Sequence, residues 1–301
     1  MARIAYSLAM MRSIPGILHF ILAGGVSLAA TVALAADQLK PFKDELFVYP
    51  GILESRDDGA YRVVDYREMR DINGRDEVPE RRAHAKYVSL GVRRQQENLS
   101  LDGIGHVAVG RTEGARFITV YLHGQGGSRK QGIDDFTFGG NFNRIKNLMV
   151  ENGGLYLSPD FPDFGAAGAA AVAKLIDHYM KKSPQASVFI ACGSAGGALC
   201  HRIANEAQIV GRLGGILLLG SLWDDGYVRS AAFKARVPLF IGQGSRDRVF
   251  PVERMEAFYR SIRSAAPGYP VRMVSFESGT HGTPIRMTDW RETLNWMMSA
   301  R

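Results

Sequence analysis

Residues 187–200, Ser-Val-Phe-Ile-Ala-Cys-Gly-Ser-Ala-Gly-Gly-Ala-Leu-Cys, constrain the fold more than any other stretch of this chain. Residues 188–191 form an unbroken apolar run, the pattern of a strand buried on both faces. Small residues follow, and then Ala/Leu-rich sequence that favours helix. A strand that turns this sharply into a helix leaves Ser194 at its apex. Such a turn strains the backbone and tolerates only small neighbours, which Gly193, Ala195 and Gly196 supply. A Gly-rich turn with an ordinary serine is the plain alternative, so the reading depends on what the rest of the chain provides.

A serine hydroxyl is a weak nucleophile at neutral pH. It becomes reactive only when a base takes its proton and a third group holds that base. Candidates lie downstream. Residues 238–251 read as a short buried strand running into a Gly-rich loop that carries Asp247. Val271–Phe276 alternates as a strand does, and the turn-rich residues 277–284 after it carry His281. Upstream, Phe117–Leu122 is strand-like and leads into His123-Gly124-Gln125-Gly126-Gly127-Ser128, where glycines let backbone come close to a bound group.

The order Ser194, Asp247, His281, each residue just after a strand, resembles the α/β-hydrolase superfamily over roughly residues 116–298. One departure is Cys192, which stands where the usual Gly-x-Ser-x-Gly has its first glycine. The resemblance implies an α/β fold with a mostly parallel central sheet and helices on both faces. It implies Ser194 as nucleophile, His281 as base and Asp247 as the acid that orients it. Oxyanion donors would be the N–H groups of Ala195 and of Gln125 or Gly124. Asp224, which follows the apolar run 214–220, is the rival acid, because some relatives carry it there. His123, Phe136 and Trp223 are candidate substrate contacts, with plain packing as the alternative. The implied activity is hydrolysis of a carboxylic ester in a small or acylated substrate, through an acyl-enzyme, with no cofactor and no metal. A peptidase or amidase on the same fold, and a hydrolase-fold protein that binds without catalysis, are the alternatives.

Elsewhere the chain alternates. Helices are expected at 143–152, Ala166–Lys182 and 195–210, with strands at 155–160 and 214–220. Only residues 220–237 separate the strands near Leu217 and Leu239, which leaves no room for a large lid and predicts an open or shallow site. Residues 61–66 and 85–90 read as strands, with a charged surface hairpin or irregular excursion at 67–84 between them. Together with a strand around His106, this region is expected to form the antiparallel start of the sheet. His84, His106, His178 and His201 are read as surface or packing residues.

Residues 1–35 stand apart. Arg3 and Arg12 precede a long apolar run that ends in Ala33-Leu34-Ala35. A small-x-small site after such a run marks a secretory signal peptide. The expectation is cleavage after Ala35 or Ala36, export to the periplasm or medium, and a single catalytic domain over 36–301 with no stable membrane insertion. An N-terminal membrane anchor is the alternative, since the run is long enough to span a bilayer; Pro15, His19, Gly24 and Gly25 argue against a permanent span. A net charge of +7 without a Lys/Arg stripe interleaved with aromatics gives no sign of a nucleic-acid partner. Two cysteines, Cys192 and Cys200, are too few for a disulfide framework, and both are expected to be small buried thiols.

Overall fold

The computed structural model describes residues 38–78 and 80–300. The expected leader, 1–35, lies outside the described residues. The strands are β1 (Ile52–Arg56), β2 (Tyr61–Val64), β3 (Asp76–Glu77), β4 (Arg82–Ala83), β5 (Gln96–Leu101), β6 (Ile104–Gly110), β7 (Phe117–Leu122), β8 (Leu155–Pro159), β9 (Ser187–Ser194), β10 (Leu213–Ser221), β11 (Leu239–Gly244) and β12 (Val271–Phe276). The helices are α1 (Glu68–Arg75), α2 (Asn141–Glu151), α3 (Ala166–Lys182), α4 (Gly197–Ile203), α5 (Ala207–Val210), α6 (Ala231–Lys234), α7 (Val252–Ala265), α8 (Thr283–Met287) and α9 (Trp290–Ser299).

Among the described residues, ten strands make one sheet in the order β1-β2-β12-β11-β10-β9-β7-β8-β6-β5. From β2 through β8 every neighbouring pair is parallel, as the strand–helix alternation requires. The edges are antiparallel: β1 on β2 at one side, β6 on β8 and β5 on β6 at the other. The parallel strands bury both faces, so alternate residues feed two cores. Ile118, Val120, Leu122 and Ile190 pack on one side with α3, α4 and α7. Phe117, Tyr121, Phe189 and Ala191 pack on the other with α2, α8 and α9. The expected parallel sheet with helices on both faces is the architecture observed.

Four expectations need correction. The segment read as the antiparallel start of the sheet is divided between its two edges, because β2 crosses over to pair in parallel with β12. Residues 85–90 are not a strand. The N–H groups of Tyr87 and Val88 bond to the nearby carbonyls of His84 and Ala85, closing a 3-10 turn, and the Tyr87 ring packs edge-on to Phe47. The helix expected over 195–210 breaks into α4 and α5 at Asn205, an exposed residue whose side chain bonds the Ala231 N–H and the His201 carbonyl. Finally, Cys192 and Cys200 are not free thiols. The tight turn at Ser194 folds α4 back against the end of β9, which brings their Cα atoms to 6.4 Å and pairs them in a disulfide.

Candidate active site

Ser194 is the last residue of β9 and has φ of +51°, the left-handed backbone that a strand-to-helix apex imposes. Its turn sits tightly under the β7 loop. A Cβ at Gly196 would lie 2.6 Å from the Leu122 carbonyl oxygen, and one at Gly124 would lie 2.7 Å from the Ser194 Cβ. Both positions therefore exclude any side chain, and the backbone of Gly124 lies directly against the serine.

The three separated candidates meet. Ser194 Oγ is 2.9 Å from His281 Nε2, and His281 Nδ1 is 2.8 Å from Asp247 Oδ2. An ionised carboxylate only accepts, so Nδ1 carries the imidazole proton and Nε2 is left to accept from the serine hydroxyl. The Asp247 carboxylate is buried and fully engaged. Oδ1 accepts the N–H groups of Val249 and Phe250 at 2.7 and 3.1 Å, and Oδ2 also accepts Gln243 Nε2 at 2.9 Å. Burial alone would raise its pKa. The hydrogen bonds from His281 and from the Phe250 and Val249 backbone outweigh that effect and hold it below the usual carboxylate range.

The rival Asp224 is exposed, and it spends its carboxylate on the N–H of Gly226 at 2.7 Å. His201 and His106 are packing residues. The first bonds the Leu222 carbonyl and the second the Tyr179 hydroxyl.

The candidate oxyanion donors flank the serine in the chain and in the loop above it. Ala195 follows the serine at the turn, and Gln125 follows Gly124. Within the described residues, no hydrogen-bond acceptor is assigned to the N–H of Ala195 or of Gln125. The carbonyl of Gly124 is taken by the Gly127 N–H and by His123 Nδ1, at 3.1 and 2.9 Å, which fixes the turn.

The three candidate substrate contacts fare differently. His123 is 6% exposed and stacks on Phe161 with centroids 4.2 Å apart, so it supports the loop from behind. Burial pushes its pKa down. Phe136 lies beneath the Arg82 guanidinium; the ring of that loop that reaches the histidine loop is Phe138, 3.3 Å from where a Cβ on Gly282 would be. Trp223 packs edge-on to Phe250, which in turn packs edge-on to His281. Three contributors went unread in the sequence: Gln243, Phe250 and Glu68. The Glu68 carboxylate, at the start of α1, accepts from the Thr280 and Thr283 hydroxyls on either side of His281. Gln243 stands out only as a polar residue within the apolar run of β11, which marks the position but not its partner, and Glu68 opens a helix four residues after β2 with no such mark.

A cleft of about 890 Å³ opens along the same sheet end, lined by Asn98, Leu99, Ile104, Arg129, Phe161 and Pro162 among others. Its wall residue Phe161 stacks on His123, which precedes the Gly124 that touches Ser194. The strands β9, β7 and β8 are neighbours, so the cleft at the end of β8 lies about 10 Å from the serine strand. Arg129 and Asp160 form an ion pair on its floor and leave it without net charge from that pair. Among the described residues there is no cluster of metal-ligating side chains, and no helix is long and apolar enough to cross a membrane.

No protein-family model matches the sequence, and comparison with curated proteins finds no match. Solved structures do resemble it. A thermostable esterase aligns with a TM-score of 0.54 at 16% identity, covering 69% of this chain and 64% of the esterase. A putative alpha/beta hydrolase of unknown function from Agrobacterium tumefaciens aligns with a TM-score of 0.50 at 14% identity, covering 68% of this chain and 91% of that one. At these identities the likeness is one of fold.

Proposed function

Given that this chain has the α/β-hydrolase fold, we propose that it is a serine hydrolase that cleaves a carboxylic ester. The observation that carries this reading is the continuous relay from Ser194 Oγ through His281 to Asp247, with contacts of 2.9 and 2.8 Å. As the serine oxygen attacks the ester carbonyl, Nε2 of His281 takes its proton. Asp247 holds the ring and stabilises the cation that forms. The N–H groups of Ala195 and Gln125 receive the negative oxygen of the tetrahedral intermediate, an interaction worth about 10²–10³ in turnover per donor. The imidazolium then protonates the departing alcohol. Water, activated by the same histidine, releases the acid and restores Ser194.

Two features favour an ester over a purely binding role. Ser194 is half-buried beside a His281 side chain that is 31% exposed, and among the described residues the candidate oxyanion donors have no internal acceptor that would cancel them. The leader of residues 1–35 supports export as the setting for this activity. The test is reaction with a fluorophosphonate probe alongside turnover of p-nitrophenyl acetate and an aminoacyl anilide. Ser194 is expected to be the labelled residue, and Ser194→Ala is expected to abolish both labelling and ester turnover. Labelling at another residue, or none in the folded protein, would end the ester reading. Faster cleavage of the anilide would move it to an amidase.

A further inference from the structure

The only cysteines in the sequence, Cys192 and Cys200, bracket the proposed nucleophile, two residues before it and six after. Their bond closes a small covalent ring that contains both Ser194 and Ala195. Those two residues supply the attacking oxygen and one oxyanion N–H, which must act on a single carbonyl and so need a fixed offset. The strand side of the turn is pinned from β10: the Ser221 hydroxyl and the Leu222 N–H both donate to the Ser194 carbonyl, at 2.9 and 3.1 Å. The helix side is held by the packing of Leu199 and Ile203 and by the bond of His201 Nε2 to the Leu222 carbonyl, all of them at or beyond residue 199 and none at Ser194 or Ala195. α4 is only seven residues long, too short to be stable by itself. Within it, Cys200 is the residue tied covalently to the strand.

We propose that the Cys192–Cys200 disulfide is a positioning device for the nucleophile, and that full turnover requires the oxidised pair. This rests on reading Ser194 as the nucleophile. Both half-cystines are buried, at 0% and 1% exposure, so a reductant reaches them only when the elbow opens. The bond is therefore set during folding and is not a surface switch. Disulfides form and persist outside the reducing cytosol, so in the proposed setting of export the chain would gain its full activity only after leaving the cytosol.

The experiment compares protein refolded from denaturant in a glutathione redox buffer with protein refolded in excess dithiol. Dithiol reduction transfers two electrons and two protons to the S–S bond, yields two thiols, and leaves the reagent as its cyclic disulfide. Thiol titration is expected to count none in the first sample and two in the second. The reduced protein is expected to lose about tenfold or more in kcat on p-nitrophenyl acetate with KM nearly unchanged. Fluorophosphonate labelling of Ser194 should slow in parallel, and reoxidation should restore both. Cys192→Ala/Cys200→Ala, checked for folding by circular dichroism, should show the low kcat in either buffer.

Equal kcat for oxidised and reduced protein would overturn the proposal, as would two free thiols after folding in the oxidising buffer. So would a loss of activity that merely follows unfolding at the assay temperature. If oxidised, folded protein neither turns over ester nor labels at Ser194, the nucleophile reading itself fails and the positioning role falls with it.

Discussion

At the scale of single residues, the carboxylate at 247 is held from four sides. It accepts from an imidazole, two backbone N–H groups and the Gln243 amide, and its pKa is held down by that company. A carboxylate whose pKa is depressed on folding stabilises the fold at every pH above its unfolded value, near 3.9, and loses that contribution as pH falls through the folded value. Asp247→Asn is therefore expected to cost about 1–3 kcal/mol at pH 7 in urea unfolding, with the difference from the parent narrowing below about pH 4. Its effect on turnover is larger, about 10⁴, because an amide favours the wrong imidazole tautomer. A loss of stability that persists unchanged at pH 3 would mean that packing, not charge, holds this loop. Ser194, Asp247 and His281 were legible because each is the chemically distinctive residue at a strand end. Gln243 and Phe250 were not. Their roles depend on which way a side chain points from β11 and its loop, and pattern does not encode direction.

At the scale of elements, the parallel strands were readable because burial on both faces leaves unbroken apolar runs. The first third of the domain was not. Its backbone groups are satisfied by local 3-10 turns and by side chains such as Asn143, which bonds both backbone groups of Ser89. The charged excursion at 67–84 holds a helix with a role. α1 begins at Glu68, and Glu68 grips the loop that carries His281 through Thr280, Thr283 and its own N–H to the Ser278 hydroxyl. Glu68→Ala is expected to lower kcat about tenfold with little change in KM, since the imidazole would be held less firmly while substrate contacts remain. The accompanying loss of stability should be about 1 kcal/mol, and Glu68→Gln, which keeps an acceptor, should recover part of both. A rise in KM at constant kcat would instead assign Glu68 to substrate binding.

At the scale of the whole molecule, function follows from how the sheet ends are roofed. The connection from β10 to β11 holds only a short 3-10 turn and α6, so no large lid descends from it, as the spacing of residues 220–237 foretold. The roof is instead lateral. The antiparallel pair β5–β6 and the loops after β7 and β8 wall the 890 Å³ cleft, which lies at the end of β8, two strands across from β9. In the proposed hydrolase, a substrate that uses this cleft must be long enough to reach past Phe161, and only such a substrate gains binding energy there. The lining is mixed, Leu99, Ile104, Phe161 and Pro162 beside Asn98, Arg129 and Asp160, and each methylene set against its apolar part is worth about 1–3 kcal/mol of discrimination at most. Turnover of p-nitrophenyl esters should therefore rise in kcat/KM from acetate towards octanoate. Ala171→Trp, which fills the cleft from α3 without touching Ser194, His281 or Asp247, should cut kcat/KM for octanoate about tenfold or more and leave acetate nearly unchanged. If the two esters lose activity equally, the tryptophan has disturbed the relay itself; if neither does, the substrate takes another path from the serine, over the Trp223–Phe250 side of the sheet.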